Sequence, residues 1–483
     1  MNTSPVPQVH DSNGDDQDGH GYGGKKAAVL TATLILGVLS YQLNASMLSP
    51  ALPDMARDMD VSVRSISQIS SVFFLFGSVA GMIFTRWSDY LGRRRTLLVV
   101  LAVLTAGTLL CLFAPNLQVL LVGRALQGAS NATFNFAYLL LSKHLKPRLF
   151  GLGVGFVSAI NGGAGGVDGY LGGVMADNLG FQSIFLVILV LGLIAMAASW
   201  RVIPRDSAPL PNGRMDWWGA LLMAVALVCL SEAISEGAAR GWTDATALVR
   251  CVGAVVAIVA FWAFERRKDN ALVPIPHLAS RHIWPVLLTT ILSLASVFAT
   301  LTFSVVIIAE DSTAGFGLSA STTALMFLTP AALLGAVAAP VAGSIAGRHS
   351  WLMTLRVGMV ASLLLLAGVA LSHSHQWIVF VLVAALGLTF NGIVLTSLNG
   401  LSVVQSPPDA PALLPGLNGS CYGIGASLGI AFVAPFIGQG TASGFATGLW
   451  IAVGIALVAL AISSLIRPRP VTAAVPAPPS SAS

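Results

Sequence analysis

The loop that decides the fold reads Thr85-Arg86-Trp87-Ser88-Asp89-Tyr90-Leu91-Gly92-Arg93-Arg94-Arg95, and an apolar segment lies on each side of it. Gly92 predicts a tight turn, because glycine adopts backbone conformations that other residues avoid. Asp89 can cap or pair at the end of a neighbouring helix, where negative charge is favoured. The arginines would then hold the loop against partner helices and anionic lipid headgroups. The pattern predicts a short loop that contacts helices other than its own two.

Composition places the chain in a membrane. It has 483 residues, of which 55% are hydrophobic and only 9% are charged, with a mean hydropathy of +0.81. Soluble proteins carry about 25% charged residues, so most of this surface faces something other than water. The net charge of +5 does not indicate nucleic acid, because the basic residues lie in short loops between apolar runs. Basic residues in such loops set the topology of a membrane protein.

The reactive side chains argue against several function classes. The four cysteines lie inside apolar segments without paired spacing, which favours small packing residues over disulfides or metal ligands. None of the eight histidines falls within a predicted span. The sequence has no nucleotide-binding loop and no catalytic constellation. We therefore expect no enzyme activity, no cofactor, no bound metal and no nucleic-acid partner.

Apolar runs predict about fourteen transmembrane helices, since about 20 apolar residues cross a bilayer. The expected fold is an all-α integral membrane protein, whose apolar region lies between a disordered cytoplasmic tail at 1–26 and another at 467–483. About twenty of the 25 Lys and Arg residues fall on one side of this topology, which predicts both termini cytoplasmic.

The loop around Gly92 resembles the cytoplasmic signature of the major facilitator superfamily, although Thr85 and Tyr90 depart from it. The stretch Leu121-Val-Gly-Arg124-Ala-Leu-Gln127-Gly128 resembles the family's fourth-helix motif. Asp168-Gly-Tyr-Leu-Gly172-Gly173 resembles the end of its antiporter motif, without the usual Gly-Pro.

The run that opens with Asp216-Trp-Trp-Gly-Ala-Leu-Leu, together with the next span, resembles the extra helix pair of the fourteen-helix drug:proton antiporter branch. The resemblance covers about residues 25–467. It implies two six-helix bundles, at 27–203 and 283–466, with two linker helices at 204–282 between them. It also implies a secondary transporter that works by alternating access and uses a proton gradient as its energy source. It also implies a cytoplasmic gate, formed by Asp89, Gly92, Arg93, Arg94 and Arg95.

Two charged residues within the predicted spans lie at one depth. Arg124 and Asp168 are each about seven residues from the outer end of consecutive spans, or roughly 10 Å below the outer surface. A charge at this depth needs a partner. One interpretation is an inert ion pair. The other is that Asp168 takes a proton when Arg124 is drawn towards substrate. Asn44 lies at a similar level in the first span, where the family often has an acidic residue.

Polar residues on several spans predict a central cavity. Gln127, Asn131 and Asn135 follow Arg124 at intervals of three or four residues, which puts them on one helical face. The further cavity-lining candidates are Asn161, Asn391, Asn399, Asn418 and Tyr422. Apolar walls with few polar groups suit amphipathic organic molecules. Glu232 and Glu236 are a second acidic candidate site, and the alternative is an interfacial position beside Arg240.

Three function classes stay open at this point. The leading prediction is proton-coupled export of small hydrophobic or amphipathic compounds such as drugs. The alternative is a solute:proton symporter that imports a small organic molecule, which the missing Gly-Pro and Asn44 favour. The third is a non-transporting membrane receptor. In the first two, the partners are the substrate, protons and the lipid bilayer around a monomer, in a cell membrane such as the bacterial inner membrane.

Overall fold

A computed structural model describes residues 21–48, 51–66, 68–163, 167–205, 215–241, 243–268, 272–273 and 275–469. The greater part of each predicted disordered tail, and the middle of the glycine-rich run before Asp168, lie outside the described residues. Within the described part the chain is helical, and its only β contact is an isolated bridge between Tyr22 and Leu145.

The helices follow one another along the chain with short connections. They are α1 (Gly24–Ser46), α2 (Leu52–Asp58), α3 (Val63–Ile66), α4 (Gln68–Leu91), α5 (Arg93–Leu112), α6 (Leu117–Gly128), α7 (Ala132–His144), α8 (Pro147–Gly163), α9 (Val167–Leu179), α10 (Gln182–Val202), α11 (Trp217–Arg240), α12 (Ala245–Glu265), α13 (Ile275–Leu278), α14 (Trp284–Ser293), α15 (Val305–Glu310), α16 (Ala320–Thr323), α17 (Thr329–Arg348), α18 (Trp351–Leu371), α19 (Gln376–Leu386), α20 (Leu395–Val404), α21 (Leu413–Ile437) and α22 (Ala442–Ser463). Four π-helical stretches, Leu294–Phe298, Thr300–Ser304, Ala324–Leu328 and Gly387–Val394, lie between helices that continue in the same direction.

Twelve helical segments among the described residues are long and apolar enough to cross a membrane. They are α1, α4, α5, α10, α11, α12, Trp284–Glu310, Ala320–Arg348, α18, Gln376–Val404, α21 and α22. Two other stretches are built from shorter helices. One is α6 and α7, joined by the 3₁₀ turn Ala129–Asn131, and the other is α8 and α9. Helices suit a bilayer because they satisfy their own backbone hydrogen bonds.

Three apolar cores organise the helices. The first is built from residues between Ala27 and Ile203, and the second from residues between Val286 and Ile466. A third, smaller core joins the start of α11 to the residues after α12 and to the beginning of α21. Helix α12 itself turns a row of exposed valines outward, as a helix in contact with lipid should.

The end of the molecule that carries the Gly92 turn will be called the Gly92 face. Both described ends of the chain lie there. The Tyr22 N–H donates to the carbonyl of His144 at the end of α7, and Arg469 Nη1 donates to the carbonyl of Ser406 after α20.

The two large cores touch each other near the Gly92 face. Helices α8 and α17 approach backbone to backbone, so a Cβ added to Gly151 would overlap the carbonyl oxygen of Gly343. Helices α4 and α21 also meet there, where a Cβ added to Gly416 would lie 2.8 Å from Met82 Sδ. Small residues permit this approach because they leave room for the facing helix. The two large cores are therefore in direct contact on the Gly92 face.

Candidate functional site: a neutral cavity between the two cores

A cavity of about 400 Å³ lies between the two large cores. Both halves of the chain contribute to its wall, and no lining residue among those described carries a charge at neutral pH. The lining residues are Tyr41, Phe74, Ser78, Asn131, Phe134, Asn135, Tyr138, Asn161, Leu294, Phe298, Asn399, Ser402, Asn418, Gly419, Tyr422, Gly423, Ala426 and Ser427. The wall therefore combines amides and hydroxyls with aromatic rings.

Asn399 is the centre of the polar network in this wall. Its Oδ1 accepts from the Tyr422 hydroxyl at 3.0 Å and from Asn418 Nδ2 at 3.4 Å. Its Nδ2 donates to Ser158 Oγ at 3.2 Å, and that hydroxyl lies 3.2 Å from the Tyr138 hydroxyl. The network crosses from α20 and α21 to α7 and α8, so it joins the two cores at the cavity wall.

The other asparagines are held by neighbouring helices. Asn131 Nδ2 donates to the Gly77 carbonyl at 3.0 Å, and Asn135 Nδ2 donates to Thr85 Oγ1 at 3.0 Å. The Asn418 Oδ1 accepts from Thr290 Oγ1 at 2.7 Å. In each case the bond fixes one end of the amide, so the side chain is positioned before a solute arrives.

The structure corrects two of the predicted lining positions. Gln127 is fully buried behind the wall, where its Nε2 donates to Thr108 Oγ1 at 2.9 Å. Asn391 packs beside Gly335 and lies outside the lining. Of the other predicted candidates, Asn131, Asn135, Asn161, Asn399, Asn418 and Tyr422 all line the cavity.

Apart from Tyr422, the aromatic residues of the wall were not predicted from the sequence. Tyr138 continues the stripe of Asn131 and Asn135 at the same three- and four-residue spacing, so the stripe contained the signal for it. Tyr41 stacks on Phe73 with ring centroids 5.3 Å apart, and its edge meets Phe134. A single aromatic residue in an apolar span gave no sign of this role, because such residues are common in any core.

Arg124 lies behind the cavity wall and is completely buried. Its guanidinium donates to the side-chain and backbone oxygens of Asn44, to Gln127 Oε1 at 2.9 Å and to the Ile69 carbonyl at 3.2 Å. It also faces the Phe73 ring at 4.3 Å. Neutral oxygens, rather than a carboxylate, thus hold this cation. Arg124 shares a helical face with the lining asparagines but does not itself line the cavity, which corrects that prediction. Phe73 packs against its guanidinium, and Tyr41, which lines the cavity, stacks on Phe73.

Asp168 is 2% exposed and accepts a hydrogen bond from the Ser46 hydroxyl. Arg124 donates its hydrogen bonds to other residues, among them Asn44 and Gln127. Within the described residues, Arg124 and Asp168 therefore do not form the predicted pair, and each makes a separate contact with α1. Both contacts are on α1, at Asn44 and at Ser46, two residues apart. Helix α9 is held close to this end of α1, because a Cβ on Gly172 would overlap the backbone of Met47. Helix α1 connects the buried cation to the buried acid.

The loop at the Gly92 face makes contacts with several helices. Gly92 has φ 97°, a left-handed conformation that favours glycine, and α5 starts directly after it. Asp89 accepts from Arg86 Nη1 at 2.6 Å and from the backbone N–H of Ala412, which precedes α21. Thr85, where the signature has glycine, accepts the hydrogen bond from Asn135 and so joins this loop to the cavity wall.

The three arginines of the loop differ in their surroundings. Arg93 Nη1 donates to the Leu139 carbonyl on α7 at 2.9 Å, and Arg94 donates to the Trp200 carbonyl on α10. Arg95 is exposed at the surface. Two of the three therefore fasten the loop to helices of the first core.

Glu232 and Glu236 are paired with arginines. Arg250 contacts both acids, at 3.4 Å for Glu236, and Arg240 lies 2.7 Å from Glu236. This cluster lies on α11 and α12, away from the cavity lining. The interfacial alternative fits these contacts better than a second proton site does.

Comparison with known proteins agrees with the geometry. The sequence profile of the Major Facilitator Superfamily matches residues 34–430. The chain is 32% identical over 434 residues to the uridine/deoxyuridine transporter of Lactococcus lactis, with 87% of this chain and 89% of that protein covered. It is 26% identical over 402 residues to the multidrug resistance protein Stp of Mycobacterium tuberculosis, with 82% and 73% covered.

The fold is shared with a solved structure of the family. The proton:xylose symporter XylE superposes with a TM-score of 0.65 at 10% identity, over 92% of this chain and 97% of that one. The recognition made from the Gly92 loop is confirmed, and so is a multi-pass position in the cell membrane. The chain belongs to the major facilitator superfamily, whose members are transporters and not enzymes.

Proposed function

We propose that this protein is a secondary active transporter for neutral, hydrogen-bonding ring compounds, with pyrimidine nucleosides as the substrate class. The observation that carries the proposal is the composition of the cavity wall. Five asparagines, three tyrosines and three phenylalanines line it, and no described lining residue is charged. Amides donate and accept hydrogen bonds, whereas aromatic rings stack on planar groups.

One of the two relatives supports this substrate class. The 32% identical protein is a uridine/deoxyuridine transporter, and the match covers 87% of this chain. A uridine ring presents carbonyls and an N–H to amide partners, and its ribose presents hydroxyls. The cavity volume of about 400 Å³ falls within the usual size of small-molecule sites, about 300–1,000 Å³.

We further propose that transport is coupled to protons through Asp168, without a bound cofactor. Asp168 is a titratable group that is almost fully buried against α1, where it accepts from the Ser46 hydroxyl. Protonation of Asp168 weakens its attraction for the Ser46 hydroxyl, and α1 carries the change to Asn44 and Arg124. The two cores then rock about the cavity, so that it closes on one side of the membrane and opens on the other.

The membrane arrangement belongs to the same proposal. Counting α6–α7 and α8–α9 as spans gives fourteen helices, with α11 and α12 as the pair between two six-helix bundles. The excess of basic residues on the Gly92 face puts that face and both termini in the cytoplasm. The structure would then represent the state closed towards the cytoplasm. We take the working unit to be a monomer, since each chain contains a whole cavity.

A second candidate is proton-coupled export of amphipathic drug-like compounds. The aromatic wall and the relationship to the multidrug resistance protein Stp favour it. The absence of a charged group from the described lining favours the first candidate, because a cationic drug would enter this cavity without a counter-charge.

The two candidates are separated by transport measurements on the purified chain in proteoliposomes. Radiolabelled uridine and a fluorescent amphipathic cation are each offered with and without an imposed proton gradient of either direction. We expect gradient-dependent movement of uridine, competition by other pyrimidine nucleosides and little movement of the cation. The direction in which uridine accumulates relative to the proton gradient distinguishes symport from antiport. Movement of the cation alone would overturn the nucleoside assignment.

A further inference from the structure

A buried pair of carboxylates lies at the Gly92 face of the α11–α12 hairpin, far from the cavity. Asp216 caps the start of α11, where its Oδ1 accepts from the Gly219 N–H at 3.0 Å and from Lys268 Nζ at 2.7 Å. Glu265 ends α12, and its Oε2 accepts from the Val273 N–H at 3.3 Å. The Asp216 side chain is 4% exposed, and Glu265 is 2% exposed. Each acid thus has one carboxylate oxygen that accepts hydrogen bonds from neighbouring residues.

The second oxygen of each acid is buried without a hydrogen-bond partner in the described part of the chain. These atoms are Asp216 Oδ2 and Glu265 Oε1. Both point at the same place, above Gly219. A Cβ added to Gly219 would lie 2.8 Å from Asp216 Oδ2 and closer still to Glu265 Oε1. Glycine at this position leaves the space in which the two oxygens face each other.

Among the described residues, the charges that act on the pair do not balance. Lys268 is the charged side chain there that contacts the pair, and it bonds to Asp216 alone. Glu265 otherwise faces the backbone N–H groups of Leu272 and Val273, which carry no charge. Two ionised carboxylates and one ammonium would leave a net negative charge in a buried site, which is costly. One proton between the facing oxygens makes the cluster neutral and satisfies both atoms.

We infer that Asp216 and Glu265 form a proton-binding site, in which one shared proton joins Asp216 Oδ2 to Glu265 Oε1. Two carboxylates whose unpartnered oxygens enter one buried space repel each other when both are ionised, so binding of one proton between them is favoured. A metal ion fits less well, because two unpartnered oxygens converge here among the described residues, and hard cations take about six or more.

The site holds the hairpin to the gate between the cores. Val273, whose N–H binds Glu265, belongs to the small core that also contains Met82 of α4 and Leu413 of α21. Trp217, next to Asp216, meets Trp87 with ring centroids 5.5 Å apart. Loss of the proton places two like charges against each other and loosens this attachment. This inference is independent of the substrate proposal.

The test is infrared difference spectroscopy on the full chain in lipid nanodiscs across a pH titration. We expect the C=O stretch of a protonated carboxyl near neutral pH that weakens as the pH rises, and the wild-type minus Glu265→Gln difference isolates the part that belongs to this site from that of Asp168. Glu232→Gln, on the same hairpin but paired with Arg250, should give the wild-type band. A band of wild-type intensity in Glu265→Gln, or no band in the wild type at neutral pH, would overturn the proton site.

Thermal unfolding gives an independent readout. The native wild type retains a proton that an unfolded glutamate loses above about pH 4.3, so its stability should fall as pH rises. The amide of Glu265→Gln donates permanently, so this variant should lose that slope and keep its stability. Gly219→Ala, whose methyl group enters the space between the oxygens, should unfold at lower temperature. If Na⁺ but not choline stabilises the wild type at constant pH, the site binds a metal cation and the proton assignment fails.

Discussion

Arg124 is bonded to Asn44 through both the side-chain and the backbone oxygens of that residue. Asp168 is held two residues further along the same helix, at Ser46. The cation and the acid therefore both contact α1, and no ion pair joins them within the described residues. On the proposed coupling, a change of protonation at Asp168 would reach Arg124 as a movement of α1.

Asp168→Asn should abolish proton-driven accumulation while exchange of substrate across the membrane continues. An amide can still accept from Ser46, so the fold is kept, but it cannot take up a proton. Accumulation and counterflow of uridine in proteoliposomes measure the two activities separately. Glu232→Gln serves as the control, because its acid is already paired with Arg250 away from the cavity. An Asp168→Asn protein that still concentrates substrate with a proton gradient would refute the coupling role.

Asn44→Asp should stabilise the protein, whereas Asn44→Leu should destabilise it. Aspartate keeps the acceptor for Arg124, removes the buried Nδ2 that has no partner in the described residues and supplies a counter-charge. A hydrogen bond to a charged group contributes about 1.5–3 kcal/mol. Thermal unfolding in detergent should show the midpoint rising for Asp and falling for Leu. Equal midpoints for the two variants would mean that Arg124 does not depend on Asn44.

Asn399→Ala should weaken substrate binding, and Asn391→Ala should not. Asn399 connects Tyr422, Asn418 and Ser158 in the cavity wall, whereas Asn391, on the same span, lies outside the lining. Leaving buried partners unsatisfied costs about 1–3 kcal/mol, which corresponds to a Kd about 5- to 150-fold higher. Titration of uridine against the purified variants measures the shift. A similar loss in both variants would point to a general packing defect.

Gly343→Ala should open the Gly92 face. Its methyl group would overlap the Gly151 carbonyl, so α8 and α17 must separate. Overpacking of this kind costs about 1–3 kcal/mol, enough to change the population of the closed state by about 5- to 150-fold.

Opening of the Gly92 face is tested by labelling the thiol of Ser402→Cys in the cavity wall. The four native cysteines, Cys111, Cys229, Cys251 and Cys421, are first replaced. A reagent added from the Gly92 side should react faster in Gly343→Ala than in its parent. Gly454→Ala is the matched control, because nothing lies within 4 Å of the added methyl group. Unchanged labelling in Gly343→Ala would show that the α8–α17 contact does not close the cavity.

Hydropathy and the Gly92 loop are sufficient to predict the fold class, because a bilayer permits few solutions for apolar runs of this length. The position of Asn391 was beyond such reasoning. Eight residues separate it from Asn399, which in a regular α-helix turns the two side chains about 80° apart. The π-helical stretch Gly387–Val394 changes that angle further, and no sequence pattern predicts where such a stretch will form.

The partner of Arg124 also could not be predicted from the sequence. Asp168 and Asn44 lie at a similar depth in the predicted spans. Depth alone does not determine which of the two the long side chain of Arg124 will contact. The choice depends on how α1, α6 and α9 are rotated about their axes. Helix rotation follows from packing, such as the approach of Gly172 to Met47, and not from the hydrophobic pattern.

The uncharged wall of the cavity has an electrical consequence. When a neutral solute enters a site whose described lining bears no ionised group, no charge crosses the membrane field. Moving one elementary charge through 100 mV is worth about 2.3 kcal/mol, so a step without charge movement is insensitive to voltage. On the proposed proton coupling, the membrane potential would act on this transporter through the proton alone, and any current would count protons and not substrate.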